Sequence, residues 1–196
     1  VQHVSLPNIE SATRATHVRS TLLQQSLRGI RNQGYFQRWE AFIDPLHRDT
    51  ILEAIAPSWL PIDVGMAHYL ACDRFDLDEA TLQTIGEGVG AQLQNTLLGV
   101  ASKIALSALS QDAINQCFFK LWPRLCKGGS LNIQHSGKLV TLELRAAVMS
   151  KSSYFRGTFM GNVRAGSKLF GKKLQSMKAL PYDEINDRFT VQLTYL

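Results

Sequence analysis

The chain has 196 residues, of which 45% are hydrophobic and 19% charged, with 14 Gly, 6 Pro and a formal charge of +5. That composition belongs to a folded globular protein and excludes collagen-like, low-complexity and disordered classes. A chain of this length buries about 70% of the surface that its unfolded form exposes, so one core is enough.

In chain order, Leu22, Leu23, Leu27 and Ile30 recur at helical spacing within residues 11–32, and Gly34 ends that run. Residues 35–43 read as a short helix or turn. Asp44-Pro45 then supplies an N-cap and a favoured first helical residue for residues 46–55. Pro57 and Pro61 bracket Ser58-Trp59-Leu60, which places Trp59 on a connection. Residues 63–75 read as a helix with Met66, Tyr69 and Leu70 inward. From Asp78 onward Leu82, Ile85, Val89, Leu93, Leu97, Val100 and Ile104 follow at three- or four-residue steps, the pattern of a buried helix face. Gly86, Gly88, Gly90 and Gly99 interrupt it, each costing about 1 kcal/mol relative to Ala. Close approach of another helix to the Gly86/Gly90 face would offset that cost. Ser110 caps a helix over residues 111–125, with Gly128-Gly129 as its stop.

The periodicity then changes. Leu131 and Ile133, followed by Leu142, Leu144 and Ala146, alternate with polar residues around Ser136-Gly137, which predicts a hairpin. A helix over about 154–170 precedes two further strands, 173–180 and 188–196. Helices first and ββαββ last define an α+β class, a helical N-terminal part packed on a four-stranded antiparallel sheet. One domain is expected over 1–196, flexible at 1–18, helical over 19–126 and ββαββ over 130–196. At about 100° per residue, Phe155, Phe159, Val163 and Phe170 share a sector that faces the sheet. Gly157, Gly161 and Ala165 lie on the opposite, basic side with Arg164, Lys168 and Lys172. That flat face suits a second helix, the Gly86/Gly90 face being the candidate, or else cradles a phosphate.

Charge divides the chain. Residues 1–119 carry 8 Lys and Arg against 12 Asp and Glu, and residues 120–196 carry 13 against 4. The basic third attracts anions, so Arg164, Lys168, Lys172 and Lys173 are candidate contacts for an acidic patch on a second subunit or a protein partner. Nucleic acid is not the expected partner, because the aromatics that would stack on bases are claimed by the sheet face. Residues 91–110 fall short of the roughly 20 apolar residues of a membrane span. Residues 1–19 lack the features of a secretion signal, and three cysteines are too few for a disulfide framework, so a reducing cytoplasm is expected.

No catalytic template fits. Residues 161–168 superficially match a phosphate loop, but Ser167 and Lys168 are in reversed order inside an amphipathic helix. His68 and Cys72, four apart, are two ligands where zinc needs three or four, so no metal site is expected.

The run Phe118-Phe119-Lys120-Leu121-Trp122-Pro123, the Gly-Gly entry to the hairpin, the block from Tyr154 to Gly161, Trp59-Leu60-Pro61 and Ile85-Gly86 together resemble an uncharacterised paralogous family expanded in myxobacteria. The resemblance covers most of residues 19–196. More distantly the layout is similar to haem nitric-oxide/oxygen-binding domains, to four-vinyl-reductase-type domains and to transport-protein-particle subunits. These relatives imply a fold that binds apolar or planar ligands or dimerises as a scaffold. Haem-binding relatives carry a proximal His on the helix before the hairpin and a Tyr-x-Ser-x-Arg motif. Here residues 111–125 contain no His, and Tyr154-Phe155-Arg156-Gly157-Thr158 lacks the Ser and has its Arg misplaced. Hence no haem and no other cofactor is expected. The expected function is a non-enzymatic ligand-sensing or protein-interaction module, homodimeric, with a pocket for a small apolar ligand between helices and sheet. Trp59, His68, Trp122 and Tyr154 would line it and Arg156 would contact an anion. The alternative is a binder of anionic partners or nucleic acid through the basic third.

Overall fold

The structure, a computed structural model, describes residues 13–97 and 121–196. Short acidic caps start two of its helices. The Leu46 amide donates to Asp44 Oδ1 at 2.8 Å and opens α3 (Pro45–Glu53), which follows α1 (Ser20–Asn32) and α2 (Phe36–Phe42). After α4 (Ile62–Asp73), Asp78 accepts from the Thr81 amide at 2.7 Å and opens α5 (Glu79–Leu97). That bond holds the Asp78 carboxyl below its ordinary range.

Four local expectations are corrected. His17–Arg19 form strand β1, so the first helix begins later than residue 11. Trp59 lies in strand β2 (Trp59–Pro61) and not on a connection, because β2 and β3 (Cys126–Lys127) both pair antiparallel with β1. Strands this short owe their form to distant partners, which local periodicity does not reveal. Leu70 points outward, 51% exposed, since Val64, Gly65, His68, Tyr69, Ala71 and Cys72 already supply the buried face of α4. Helical residues 121–125 run into β3, so Gly128-Gly129 links β3 to the next strand instead of stopping a helix. Both glycines have positive φ, and a Cβ on Gly128 would lie 2.5 Å from the Arg14 carbonyl oxygen. Ser110 and the expected helical start near residue 111 lie outside the described residues.

The second half follows the expected order. Strands β4 (Ser130–Ser136) and β5 (Leu139–Arg145) form the hairpin, α6 (Ser153–Leu169) crosses, and β6 (Leu174–Ala179) and β7 (Arg188–Tyr195) complete an antiparallel sheet of order β4-β5-β7-β6. The strict alternation of β5 and β7 pairs buried residues across the strands: Val140 with Leu193, Leu142 with Val191 and Leu144 with Phe189. Helix α6 lies on this face, its Phe159 ring edge-on to Phe189 at 6.1 Å.

The small-residue stripes meet. A Cβ on Gly86 would collide with the Thr158 carbonyl, and one on Gly161 with the Gln83 carbonyl. Gly157 faces Leu82, and Gly90 faces Ala165. The backbones of α5 and α6 therefore touch without intervening side chains, which offsets the cost of glycine in both helices. A covered face cannot present its backbone to a phosphate, so the cradle alternative falls.

Candidate functional site

Helices α1, α4 and α6 bring four polar side chains together in the core. Ser26 lies on the inner face of α1, His68 and Cys72 stand one turn apart on α4, and Tyr154 opens α6. The Ser26 hydroxyl is 2.9 Å from His68 Nε2 and 2.9 Å from the Tyr154 hydroxyl, while Cys72 Sγ is 3.9 Å from the same imidazole nitrogen. The His68 ring is enclosed by Tyr69, Trp39 and Tyr154 at 5.2, 6.0 and 6.2 Å between centroids. His68 has no solvent exposure, and among the described residues its Nδ1 has no hydrogen-bond partner, nor has the Nε1 of the neighbouring Trp39. Leaving such atoms unpaired in a core costs about 1–3 kcal/mol each.

Burial sets the electrostatics. It pushes the His68 pKa down to about 3, so the imidazole is neutral, and it raises both the Cys72 thiol and the Tyr154 phenol well above their ordinary values. None of these groups exchanges a proton near neutral pH, and no thiolate is present. The cluster can hydrogen-bond a guest; it is not built for acid–base or nucleophilic chemistry.

The other expected lining residues lie elsewhere. Trp59 is flanked by cations, with the Arg19 guanidinium 4.0 Å and the Lys127 ammonium 4.9 Å from its ring centre. The Trp122 indole donates to the Gly128 carbonyl at 3.3 Å. Arg156 donates to the Ser150 and Lys151 carbonyls at 2.8 and 2.9 Å and lies over Tyr182, so its guanidinium closes the 3-10 turn Val148–Lys151. Among the described residues no hydrogen bond or ring contact joins these three to His68 or Tyr154.

The basic residues divide. Arg164 and Lys168 grip opposite oxygens of Glu87 on α5. Lys172 joins Arg164, Ser167 and Lys168 in a surface cleft of about 290 Å³ against the start of β6, and Lys173 follows at the same turn. Sequence reasoning missed Asp73. One of its oxygens, Oδ1, accepts from Ser152 Oγ, Ser153 Oγ and the Tyr154 amide at 2.9, 2.8 and 2.7 Å, and so fastens the start of α6 to the end of α4. The Ser152-Ser153 pair stands where the helix expected over about 154–170 begins; its distant acceptor has no signature in the sequence. Among the described residues there is no cluster of metal-binding side chains and no helix long and apolar enough to cross a membrane.

No family model and no curated protein matches the chain. Solved structures do, and they define the class of fold as that of H-NOX domains. A crystal structure of an Fe(II) unliganded H-NOX mutant from K. algicida aligns at a TM-score of 0.60 with 10% identity, over 91% of this chain and 96% of that one. An oxygen-binding H-NOX domain related to soluble guanylate cyclases, in its oxygen complex, aligns at 0.52 with 12% identity, over 90% and 94%. A structure concerned with modulating haem redox potential through porphyrin distortion aligns at 0.54 with 13% identity, over 90% and 94%. What the chain shares at these identities is the fold.

These neighbours correct the expectation of no cofactor. The fold is one in which haem redox potential and oxygen binding have been studied, so the lack of a histidine in residues 111–125 does not dismiss haem. Among the described residues, His68 has suitable donor chemistry as a neutral imidazole. Its position does not fit an axial ligand, because Nε2 is held by Ser26 and three aromatic rings enclose the imidazole. Cys117, a residue type that also ligates haem iron, lies outside the described residues.

Proposed function

We propose that the chain is a non-enzymatic ligand-sensing domain on the H-NOX fold. A small molecule is taken up in the helical part, and α6 carries the resulting shift to the sheet. The observation that carries this reading is the enclosed cluster around His68, where two buried polar atoms, His68 Nδ1 and Trp39 Nε1, have no partner among the described residues. Such atoms serve a guest with a hydrogen-bonding edge and an apolar body. The neighbours' association with haem and oxygen supports the sensing reading and makes haem one ligand class to test.

Homodimerisation is part of the proposal, as is a reducing cytoplasm, which suits the free, buried thiols of Cys72 and Cys126. Membership of the myxobacterial paralogous family, and kinship with four-vinyl-reductase-type and transport-particle domains, are proposals carried by the motifs quoted above. Native mass spectrometry of the purified protein, paired with haemin titration followed by visible absorbance, tests the reading. A co-purifying small molecule, or saturable haemin uptake with a Soret band, supports it. Bare protein mass together with non-saturable haemin absorbance and no ligand-induced melting shift would sink it.

A further inference from the structure

Among the described residues, strand β6 is an edge of the four-stranded sheet, with β7 as its single strand neighbour. Its outward amides and carbonyls therefore have no strand partner among the described residues. Gln175, Ser176 and Lys178 are exposed along it, while Leu174, Met177 and Ala179 rest partly buried on the core. The register irregularity is confined to its start, between Leu174 and Ser176, and Ser176–Ala179 pair regularly with Val191–Thr194. Lys172, Lys173 and Lys178 enter no ion pair among the described residues, in contrast to Arg164 and Lys168 with Glu87. The opposite edge, β4, carries no Lys or Arg. One sheet edge is thus both open and cationic, and the cleft holding Lys172 lies at its start.

We propose that this edge docks an acidic, extended segment of a partner protein, which adds to the sheet as a further strand beside β6. Main-chain hydrogen bonds would supply affinity, and carboxylates reaching Lys172, Lys173 and Lys178 would supply selectivity. Charge decides the occupant. A second copy pairing through β6 would set these lysines against their own images. The residues of this chain outside the described part carry only Glu10 and Asp112 as acids, beside Lys103 and Lys120, so they do not match the edge. From Lys173 to Lys178 an extended strand runs about 17 Å, which sets the span over which the partner's acids must recur. The inference is independent of what the His68 cluster binds.

The test uses the full chain and a fluorescein-labelled peptide of alternating Glu and Thr, followed by anisotropy and by amide hydrogen exchange. Saturable binding is expected, with slowed exchange confined to residues 174–179. N-methylation of alternate peptide amides removes the strand-pairing donors at constant charge and should abolish binding. The double change Lys172→Glu and Lys178→Glu should weaken it by about tenfold or more with an unaltered melting temperature. Three results overturn the proposal: no binding, which leaves the lysines as guards against edge-to-edge aggregation; equal binding of the N-methylated peptide, which leaves only a charged surface; or tighter binding of duplex DNA of equal charge.

Discussion

His68 enters the core without its proton. Burial places its pKa at about 3 in the folded chain, against 6.5 for the free side chain. Between those values the unfolded chain binds a proton that the folded chain refuses. Stability is therefore complete above about pH 6.5 and falls towards pH 3 by up to about 1.4 kcal/mol per pH unit. The lowered Asp78 and Asp183 carboxyls, held by the Thr81 amide and by Asn186, act in the same direction only below their ordinary 3.8, so milder acid isolates the imidazole. Urea melts at descending pH should show this slope, and His68→Gln should flatten it; a wild-type midpoint constant down to pH 4 would contradict a buried neutral ring. Asp73 makes a second prediction. Asp73→Ala orphans three donors and should cost about 1–3 kcal/mol in thermal or urea melts, whereas Asp73→Asn keeps an acceptor oxygen and should cost less. Histidine and tyrosine were legible as site candidates because their chemistry is rare on apolar faces. Ser26 and Asp73 were not, since an ordinary serine and a helix-end aspartate gain their roles from partners 42 to 128 residues away.

At the scale of elements, the contact between α5 and α6 was readable before any coordinates. Glycines four apart share a helix face whatever the tertiary fold, and each stripe needed a partner lacking bulk. Gly86→Ala and Gly161→Ala should each destabilise by about 1–3 kcal/mol or more, because the new methyl meets main chain that cannot rotate away. Gly88 is the internal control. Beyond its own helix, nothing among the described residues lies within 4 Å of its missing Cβ, so Gly88→Ala should raise stability, by up to about 1 kcal/mol. Thermal melts of the three variants check both signs together. Strands β1 and β2 escaped the same reasoning: three residues hold less than two periods of an alternation, and their order comes from pairing across the chain.

For the whole molecule, the division into an acidic first part and a basic last third was legible as composition, but which cations remain available was a matter of packing. Glu87 neutralises two of them across the helix seam. Exposed pairs of this kind contribute about 0–1 kcal/mol, so Glu87→Gln should barely move the melting temperature. It should nevertheless tighten binding of the acidic peptide, since Arg164 and Lys168 border the cleft beside β6. Anisotropy with that variant reads the effect directly. The seam also governs how the fold comes apart. With Gly86 seated on the Thr158 carbonyl and Gly161 on the Gln83 carbonyl, neither helix can fray past the contact while the other stays wound around it. Amides on the facing turns of α5 and α6 should consequently exchange with solvent at one shared rate, slower than those of α3, as a single cooperative unit of opening.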